Sequence, residues 1–211
     1  MKPDKEYNGR SRIRMFNCDC MDFMRDCDKY DLAIVDPPYG LERFKTGGSH
    51  VNKYGSENKE WNNIKPNQQY FNSLFLKTQH QIIWGGNNFN LPTSEYFIIW
   101  QKGNAVDFSF AMCEQAWTNI KKPAKLFKYL HAQNNDVRLH PTQKPVKLYK
   151  WLLTNYANEV DTIFDSHGGS MSIAIACWDL GFDLDICELD KDYFNDAVKR
   201  FENHISQTQL F

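Results

Sequence analysis

Residues 160–190, VDTIFDSHGGSMSIAIACWDLGFDLDICELD, form the most regular stretch of this chain and decide its fold class. The apolar pattern predicts a strand at residues 160–164, a helix at residues 172–180 and a second strand at residues 182–187. Asp190 can then cap a further amphipathic helix. Strands and helices that alternate in this way give parallel strands covered by helices, so we expect an α/β fold with a doubly wound, mostly parallel sheet.

Further strands are predicted on the amino-terminal side of this unit. Short apolar runs indicate buried strands at residues 13–17 and 32–35. Three later runs, at residues 96–100, 109–117 and 124–130, are predicted to form strands in meander order. The sheet is therefore expected to be mixed, with an antiparallel strand near one edge.

Composition predicts an ordinary globular protein. The chain has 211 residues, of which 42% are hydrophobic and 15% aromatic, enough to bury a single core. We expect a flexible tail at residues 1–10, one domain at residues 11–205 and a second tail at residues 206–211. Neither a secretory signal nor an apolar run of membrane length is evident, which predicts a cytoplasmic protein without a membrane partner.

The cysteines and the charges constrain the chemistry. The six cysteines lack C-x-x-C pairing and several lie in apolar patterns, so we expect reduced core thiols and no metal site. The net charge of -1 hides a basic segment: residues 121–150 carry eight Lys or Arg and one acid. Such a segment could bind the phosphates of a nucleic acid, although a solvated surface is the alternative.

Asp36-Pro37-Pro38-Tyr39 follows the predicted strand at residues 32–35, at the sheet edge where α/β proteins bind ligands. Prolines have a fixed φ and no N–H group, so the carbonyls of Asp36 and Pro37 present a stiff set of acceptors for an amino group. Tyr39 adds a ring on which a flat heterocycle can stack. The alternative is a surface turn, which Asp and Pro favour for local reasons.

A second candidate site lies in the strand–helix unit. Residues 165–170 form a small-residue loop, and Glu188 follows the next strand, as in units that bind adenosine and its ribose. The loop lacks the full G-x-G-x-x-G of dinucleotide-binding proteins. This favours an adenosine cofactor without phosphates, such as S-adenosyl-L-methionine, while a plain loop without ligand is the alternative.

Together these motifs resemble those of DNA amino-methyltransferases, in particular the circularly permuted β class. Asp36-Pro37-Pro38-Tyr39 resembles the catalytic loop of that family and precedes the glycine loop, as in the permuted order. The other similar segments are Asn17-Cys18-Asp19-Cys20, Ile83-Trp84-Gly85-Gly86-Asn87-Asn88, His140-Pro141-Thr142-Gln143-Lys144-Pro145, Asp165-Ser166-His167-Gly168-Gly169-Ser170 and Ile186-Cys187-Glu188-Leu189-Asp190. The similarity covers residues 11–205 and implies a Rossmann-like methyltransferase fold.

The resemblance implies methyl transfer from S-adenosyl-L-methionine to an exocyclic amine of a base flipped out of double-stranded DNA. Asp at the first position of the catalytic loop resembles adenine-N6 enzymes, and cytosine N4 is the alternative. The implied cofactor contacts are Asp19, Cys20, Asp36, His140, Thr142, Lys144, Pro145, Asp165, Ser166, His167, Gly168, Gly169, Ser170 and Glu188, with Lys144 paired to the cofactor carboxylate. The expected DNA contacts are Arg43, Lys45, Lys121, Lys122, Lys125 and Arg138.

Two positions depart from the family pattern. Met171 stands where a second glycine is usual, so we expect its side chain to crowd the methionine end of the cofactor. His167 replaces a common Phe beside the adenine. The alternative to an active enzyme is therefore a methyltransferase-like protein that binds DNA or a partner. Methylation of RNA or of a protein glutamine is a third reading, against which Asp36 and the permuted order argue.

The last five residues, Gln207-Thr208-Gln209-Leu210-Phe211, resemble the Q-x-x-L-F peptide with which bacterial proteins bind the replication sliding clamp. A disordered terminal tail is a suitable carrier of such a peptide, and packing of its apolar residues is the alternative. The chain has little room for a separate recognition domain. We therefore expect a short target site or help from a second subunit in a homodimer.

Overall fold

The computed structural model describes residues 1–40, 65–102, 111–129, 136, 139 and 143–208. Within these residues the strands are β1 (Lys5–Asn8), β2 (Arg12–Phe16), β3 (Tyr30–Val35), β4 (Thr78–Trp84), β5 (Phe97–Gln101), β6 (Cys113–Thr118), β7 (Lys125–Lys128), β8 (Ile163–Asp165) and β9 (Leu184–Cys187). The helices are α1 (Cys20–Asp26), α2 (Gln68–Lys77), α3 (Val146–Tyr156), α4 (Ser172–Leu180) and α5 (Lys191–Thr208).

The strands join one sheet in the order β1-β2-β9-β8-β3-β4-β6-β5-β7. Strands β2, β9, β8, β3 and β4 run in parallel, whereas β1 is antiparallel to β2, and β6 to β4 and β5. The predicted α/β class and mostly parallel mixed sheet are therefore confirmed. The predicted meander order of β5, β6 and β7 is wrong for β7, which does not pair with β6. Because β4 and β5 occupy both sides of β6, β7 pairs in parallel with the free side of β5.

Helices cover both faces of the sheet because successive strand residues point to opposite sides. In β3, Leu32 and Ile34 belong to the core that includes α3, α4 and α5, while Ala33 and Val35 belong to the core that includes α1 and α2. Burial on both faces explains why the central strands are continuous apolar runs. The carboxyl ends of these strands form the edge where the candidate site lies.

Both ends of the chain carry structure that the sequence analysis does not predict. Strand β1 lies within residues 1–10, for which a flexible tail is expected, and pairs with β2. Tyr7 stabilises it by packing on Phe201 at 5.0 Å between ring centroids and by donating a 2.7 Å hydrogen bond to Glu202. Helix α5 continues to Thr208, so the expected tail at residues 206–211 begins inside a helix.

The cysteines are free thiols in several environments. Cys177 and Cys187 are buried, as expected for core thiols, and Cys113 is exposed. The remaining three, Cys18, Cys20 and Cys27, are half-buried. Among the described residues, no group of three His, Cys, Asp or Glu side chains is placed to hold a metal ion.

Candidate active site

Asp36 follows the carboxyl end of β3, and Tyr39 turns back towards it. The Tyr39 hydroxyl donates a hydrogen bond of 2.6 Å to Oδ1 of Asp36. The Tyr39 ring lies against Gly85, in the turn after β4, so closely that a Cβ atom there would be 2.2 Å from Cε1 of the ring. Gly85 also has a left-handed φ of 65°, which glycine adopts without strain. The position of the ring therefore depends on this glycine.

Lys144 supplies the counter-ion of Asp36. Its side chain is only 3% exposed, and its Nζ forms an ion pair with Oδ2 of Asp36. The same Nζ lies 3.4 Å from the Tyr39 hydroxyl and 5.2 Å from the centroid of the Trp84 ring. Burial by itself lowers the pKa of this ammonium, but the charges of Asp36 and Glu114 outweigh burial and raise the pKa. Lys144 is thus a buried cation that is paired with the acceptor loop.

Glu114 completes this charged group, and the sequence analysis misses it. It lies on the antiparallel strand β6, where Oε2 is 3.2 Å from Nζ of Lys144 and Oε1 pairs with Lys102. Burial raises the pKa of Glu114, but the two lysines outweigh burial and lower the pKa. The one feature of the sequence that could have indicated Glu114 is an acidic residue inside a predicted strand. Which lysines it meets depends on the placement of β6 between β4 and β5.

The loop after β8 is bound to the end of β9 through its main chain. The N–H group of Gly169 donates a 2.7 Å hydrogen bond to Oε2 of Glu188, and that of Asp190 donates one of 2.8 Å to Oε1. The N–H group of Gly168 donates to the carbonyl of Cys187 at 2.7 Å. Burial raises the pKa of Glu188. The predicted glycine loop and the predicted acid therefore form one unit.

Asp165 ends β8 and is almost completely buried, with 1% of its surface exposed. It accepts a 3.0 Å hydrogen bond from the N–H group of His167, and none of the described Lys or Arg side chains forms an ion pair with it. Burial, with the nearby charges of Asp36 and Glu188, raises the pKa of Asp165 to about 8. The carboxyl is therefore mainly protonated at neutral pH and can exchange its proton for another cation.

Ser166 and His167 pack against α2. The Ser166 hydroxyl lies 2.7 Å from the hydroxyl of Tyr70 and 2.8 Å from Nδ1 of His167. The Tyr70 and His167 rings meet edge to face at 5.3 Å. Burial lowers the pKa of His167 to about 4, so the ring is neutral at physiological pH. A neutral ring offers a flat face at the position where the family has Phe. Tyr70 is a second residue that the sequence analysis misses.

Met171 takes the N-cap position of α4 with φ 52° and ψ 36°. Among the described non-glycine residues it is the only one with positive φ, a conformation that costs such a residue about 1–2 kcal/mol. Its side chain is fully buried in the core that includes α3, α4 and α5. The predicted crowding by the side chain is therefore replaced by strain in the backbone directly after the glycine loop.

The other predicted cofactor residues lie around these two groups. Asp19 accepts a 2.8 Å hydrogen bond from the N–H group of Met21 and so caps α1, whose first residue is Cys20. Pro145 directly precedes α3. The carbonyl of Ser170 accepts a 2.8 Å hydrogen bond from Arg200, a contact that the sequence does not reveal. Arg43, Lys45, Arg138, His140 and Thr142 lie outside the described residues.

The predicted DNA-binding lysines that the structure describes do not lie beside the candidate active site. Lys121, Lys122 and Lys125 lie around the start of β7, which three strands separate from β3. Lys122 donates to the carbonyl of Asn155 at 2.6 Å, and Lys125 donates to the Asn155 side chain at 2.7 Å. Both lysines therefore bind the last turn of α3, where a positive charge is favourable. Their contact with DNA stays a prediction.

Comparison with known proteins identifies relatives of this arrangement. The DNA methylase family N6_N4_Mtase matches residues 53–199. The chain is 31% identical over 83 residues to the type II methyltransferase M.HpaI of Haemophilus parainfluenzae, and this segment is 38% of the chain and 26% of M.HpaI.

Solved structures share the fold at low sequence identity. The complex of M1.HpyAVI with SAM superposes with a TM-score of 0.62 at 19% identity, over 89% of this chain and 99% of that chain. The cytosine-N4-specific PvuII DNA methyltransferase gives a TM-score of 0.60 at 13% identity, over 92% and 90% of the two chains. Similarity at these identities extends to the fold and not to the substrate.

Proposed function

The chain belongs to the DNA methylase family. We propose that it transfers a methyl group from S-adenosyl-L-methionine to the exocyclic amine of a DNA base, with adenine N6 as the first candidate. The observation that carries the proposal is the hydrogen-bonded pair of Asp36 and Tyr39 at the end of β3, beside the strand that ends at Asp165. The residues proposed to bind the methyl acceptor and those proposed to bind the methyl donor thus lie at the ends of neighbouring strands.

The ends of β8 and β9 fit a cationic adenosine cofactor. Asp165 can exchange its proton for a positive charge, and Glu188 keeps lone pairs for ribose hydroxyls after accepting its two main-chain hydrogen bonds. At Gly169 an added Cβ atom would meet no described atom within 4 Å, so the loop is open on that side. These features support the implied cofactor site, to which Asp19 and Cys20 would add the adenine side.

Asp36 and Pro37 would bind the amino group of a flipped base. Their carboxylate and carbonyl oxygens accept its hydrogen bonds while the ring packs against Tyr39. These acceptors favour a tetrahedral nitrogen with a localised lone pair, which is positioned for in-line attack. The cofactor sulfonium supplies an activated methyl group. Asp36 or solvent would accept the proton that the nitrogen loses on gaining the methyl group, and the cofactor would leave as a neutral thioether.

Analysis of methylated bases tests the reaction and the acceptor together. The protein is incubated with isotopically labelled S-adenosyl-L-methionine and PCR-amplified DNA, which carries no methylated base, and the digested nucleosides are identified by mass spectrometry. We expect labelled N6-methyladenine, which Asp36→Asn should form about 10³-fold more slowly. Label in N4-methylcytosine would instead identify cytosine N4 as the methyl acceptor. A folded protein that leaves all nucleosides unlabelled would contradict methyl transfer to DNA.

A second candidate function is binding of DNA or a partner without methyl transfer. The strained backbone at Met171 favours it, because this residue directly follows the loop proposed to hold the cofactor. Calorimetric titration with S-adenosyl-L-methionine separates the two functions. Saturable binding supports the enzyme, whereas absence of binding at high cofactor concentration supports the second candidate.

Partners and location are further proposals. The permuted β-class order, a homodimer and DNA contacts by Arg43 and Lys45 stay predictions, as does the cytoplasmic location. Of the clamp-like peptide, only residues 207 and 208 are described. Deletion of residues 207–211 should abolish a pull-down with the sliding clamp if the peptide binds it. In the part of the chain that the structure describes, no helix is long and apolar enough to cross a membrane.

A further inference from the structure

Four charged side chains beside the acceptor loop form a row of alternating sign. Lys102 pairs with Glu114, Glu114 approaches Lys144 to 3.2 Å, and Lys144 pairs with Asp36. Tyr39 ends the row by donating its hydrogen bond to Asp36. The row runs from the half-buried Lys102 into the buried acceptor site, and its four charges sum to zero.

Lys144 and a target amine compete for the same carboxylate. Oδ1 of Asp36 accepts from Tyr39, and Oδ2 pairs with Lys144, so both oxygens are engaged before a base arrives. An ammonium is the stronger donor because its charge assists the hydrogen bond. Each oxygen of Asp36 keeps a lone pair for an amine, but the ammonium of Lys144 draws negative charge from the carboxylate. An amine therefore binds more strongly if Lys144 can weaken its contact with Asp36 without becoming an unpaired buried charge, which is costly.

Glu114 offers Lys144 the second partner that this exchange requires. At 3.2 Å from the ammonium, Oε2 of Glu114 is close enough for an ion pair but is not aligned for a hydrogen bond, and no other described group donates to it. Charge-assisted N–H···O bonds are about 2.8 Å long, so a small movement of Lys144 completes the bond. Lys102 holds the other oxygen and keeps the carboxylate in place.

We propose that Glu114 is a positioning residue that takes over the Lys144 ammonium when the target amine binds Asp36. The inference rests on the proposed function, because it describes how the same acceptor site admits its substrate. Glu114 contacts neither the base nor the cofactor in this scheme and acts only through Lys144.

The charge of Lys144 depends on groups from several elements. Asp36 and Tyr39 face it from the loop after β3, Glu114 faces it from β6, and Asp165 interacts with it electrostatically from the end of β8. Burial lowers the pKa of Lys144, while Asp36 and Glu114 raise it. Removal of the Glu114 charge therefore lowers the pKa of Lys144.

Glu114→Gln tests the inference because it keeps the shape of the side chain and removes its charge. In single-turnover reactions with PCR-amplified DNA, the rate of methyl transfer should fall about 10²-fold, the loss typical of a misplaced reacting group. The alkaline limb of the pH–rate profile should move to lower pH. The dissociation constant of S-adenosyl-L-methionine should stay unchanged, and Glu114→Asp should restore part of the rate.

Asp179→Asn is the matched control. Asp179 lies on α4 and, like Glu114, pairs with two basic side chains, Lys150 and His204, while its own side chain is 13% exposed. Its loss should lower the melting temperature without changing the rate or the pH–rate profile. The control separates a positioning role from the general effect of breaking a partly buried ion pair.

Two results with the Glu114→Gln variant would overturn the inference. One is a Glu114→Gln rate and pH profile equal to wild type. The other is an unchanged pKa of Lys144 in this variant, measured from its Cε chemical shift without any turnover. If Glu114→Gln does not fold, Lys102→Gln, which releases the other oxygen of Glu114, should lower the rate about tenfold, and no change would overturn the inference. A wild-type protein that transfers no methyl group overturns the proposed function instead, while the chemical-shift comparison still tests Glu114.

Discussion

The acceptor side of the site, after β3, and the donor side, at the ends of β8 and β9, hold negative charge in opposite ways. Asp36 pairs with the buried Lys144, and Glu114 pairs with both Lys144 and Lys102. Asp165 and Glu188 bind only main-chain N–H groups among the described residues, and burial raises the pKa of both. The carboxylates of the acceptor side are therefore neutralised by lysines, whereas no described lysine or arginine pairs with the carboxyls of the donor side, where Asp165 instead keeps a proton at neutral pH.

Asp36→Asn should break the acceptor side and has the largest expected effect. The amide keeps the shape but loses the charge that pairs with Lys144 and one acceptor oxygen, so kcat should fall about 10³-fold. Asp31→Asn is the control, because Asp31 lies near the other end of β3 and its carboxylate accepts its hydrogen bonds from Thr162. Transfer of labelled methyl to DNA measures both variants. Asp36→Asn protein with near wild-type kcat would refute the role of Asp36.

Gly85→Ala should displace Tyr39 and leave the donor side intact. The new Cβ atom would lie 2.2 Å from the Tyr39 ring, so we expect transfer to fall about 10²-fold with unchanged cofactor affinity. Gly181→Ala is the control, since Gly181 also has positive φ, 83°, but among the described atoms its Cβ would meet only the Arg10 carbonyl, at 3.7 Å. The left-handed backbone should cost each variant about 1–2 kcal/mol of unfolding free energy, and Gly85→Ala should lose more because of its clash with the Tyr39 ring. Equal activity of the two would show that the ring position is unimportant.

The pH dependence of cofactor binding should test the donor side. Because Asp165 holds a proton below its pKa of about 8, affinity for a sulfonium should fall up to about tenfold for each pH unit below that value. S-adenosyl-L-homocysteine is the control ligand, because it lacks the methyl group and with it the positive charge on sulfur. Calorimetry with both ligands measures the difference, which Asp165→Asn should remove. The same pH dependence for both ligands would contradict a sulfonium site at Asp165, because both ligands keep the α-ammonium group.

Asp165 should also make the free energy of unfolding of the ligand-free protein depend on pH. A carboxyl whose pKa is raised on folding binds its proton more tightly in the folded state. Its contribution to the free energy of unfolding is therefore full at acidic pH and is lost as the pH rises towards about 8. Denaturant titrations on both sides of neutral pH should show this loss for wild type and a smaller one for Asp165→Asn. An equal loss in both proteins would assign the effect to other groups.

Met171→Gly should have the smallest effect on cofactor binding. The side chain lies in the core, so its removal should cost stability, about 2–5 kcal/mol for a buried Met cut back to Ala. Met171→Ala keeps the left-handed strain, so Met171→Gly should be more stable than Met171→Ala by about 1 kcal/mol. Thermal unfolding and calorimetry measure both. Much tighter binding of S-adenosyl-L-methionine by Met171→Gly would instead show that the strain deforms the donor loop.

The donor side could be predicted more completely than the acceptor side. Asp165, the glycine loop and Glu188 lie within one strand–helix–strand unit, so local patterns were sufficient to bring them together. The resemblance implies that Lys144 binds the cofactor carboxylate, which stays a prediction, whereas its ion pair with Asp36 could not be predicted from local patterns. Glu114 was missed because its strand, β6, reaches the site only by inserting between β4 and β5. The position of β7 was wrong for the same reason.

The sequence by itself determined the fold class, the strand ends at which Asp36, Asp165 and Glu188 lie, and the acceptor-only character of the proline loop. These features follow from apolar periodicity, from the direction of parallel strands and from the missing N–H of proline, all of which act over a few residues. Only the tertiary structure decided which charges neutralise one another. Asp36, Glu114 and Lys144 are far apart along the chain, and an ion pair depends on a distance of a few ångströms that only the packed sheet sets.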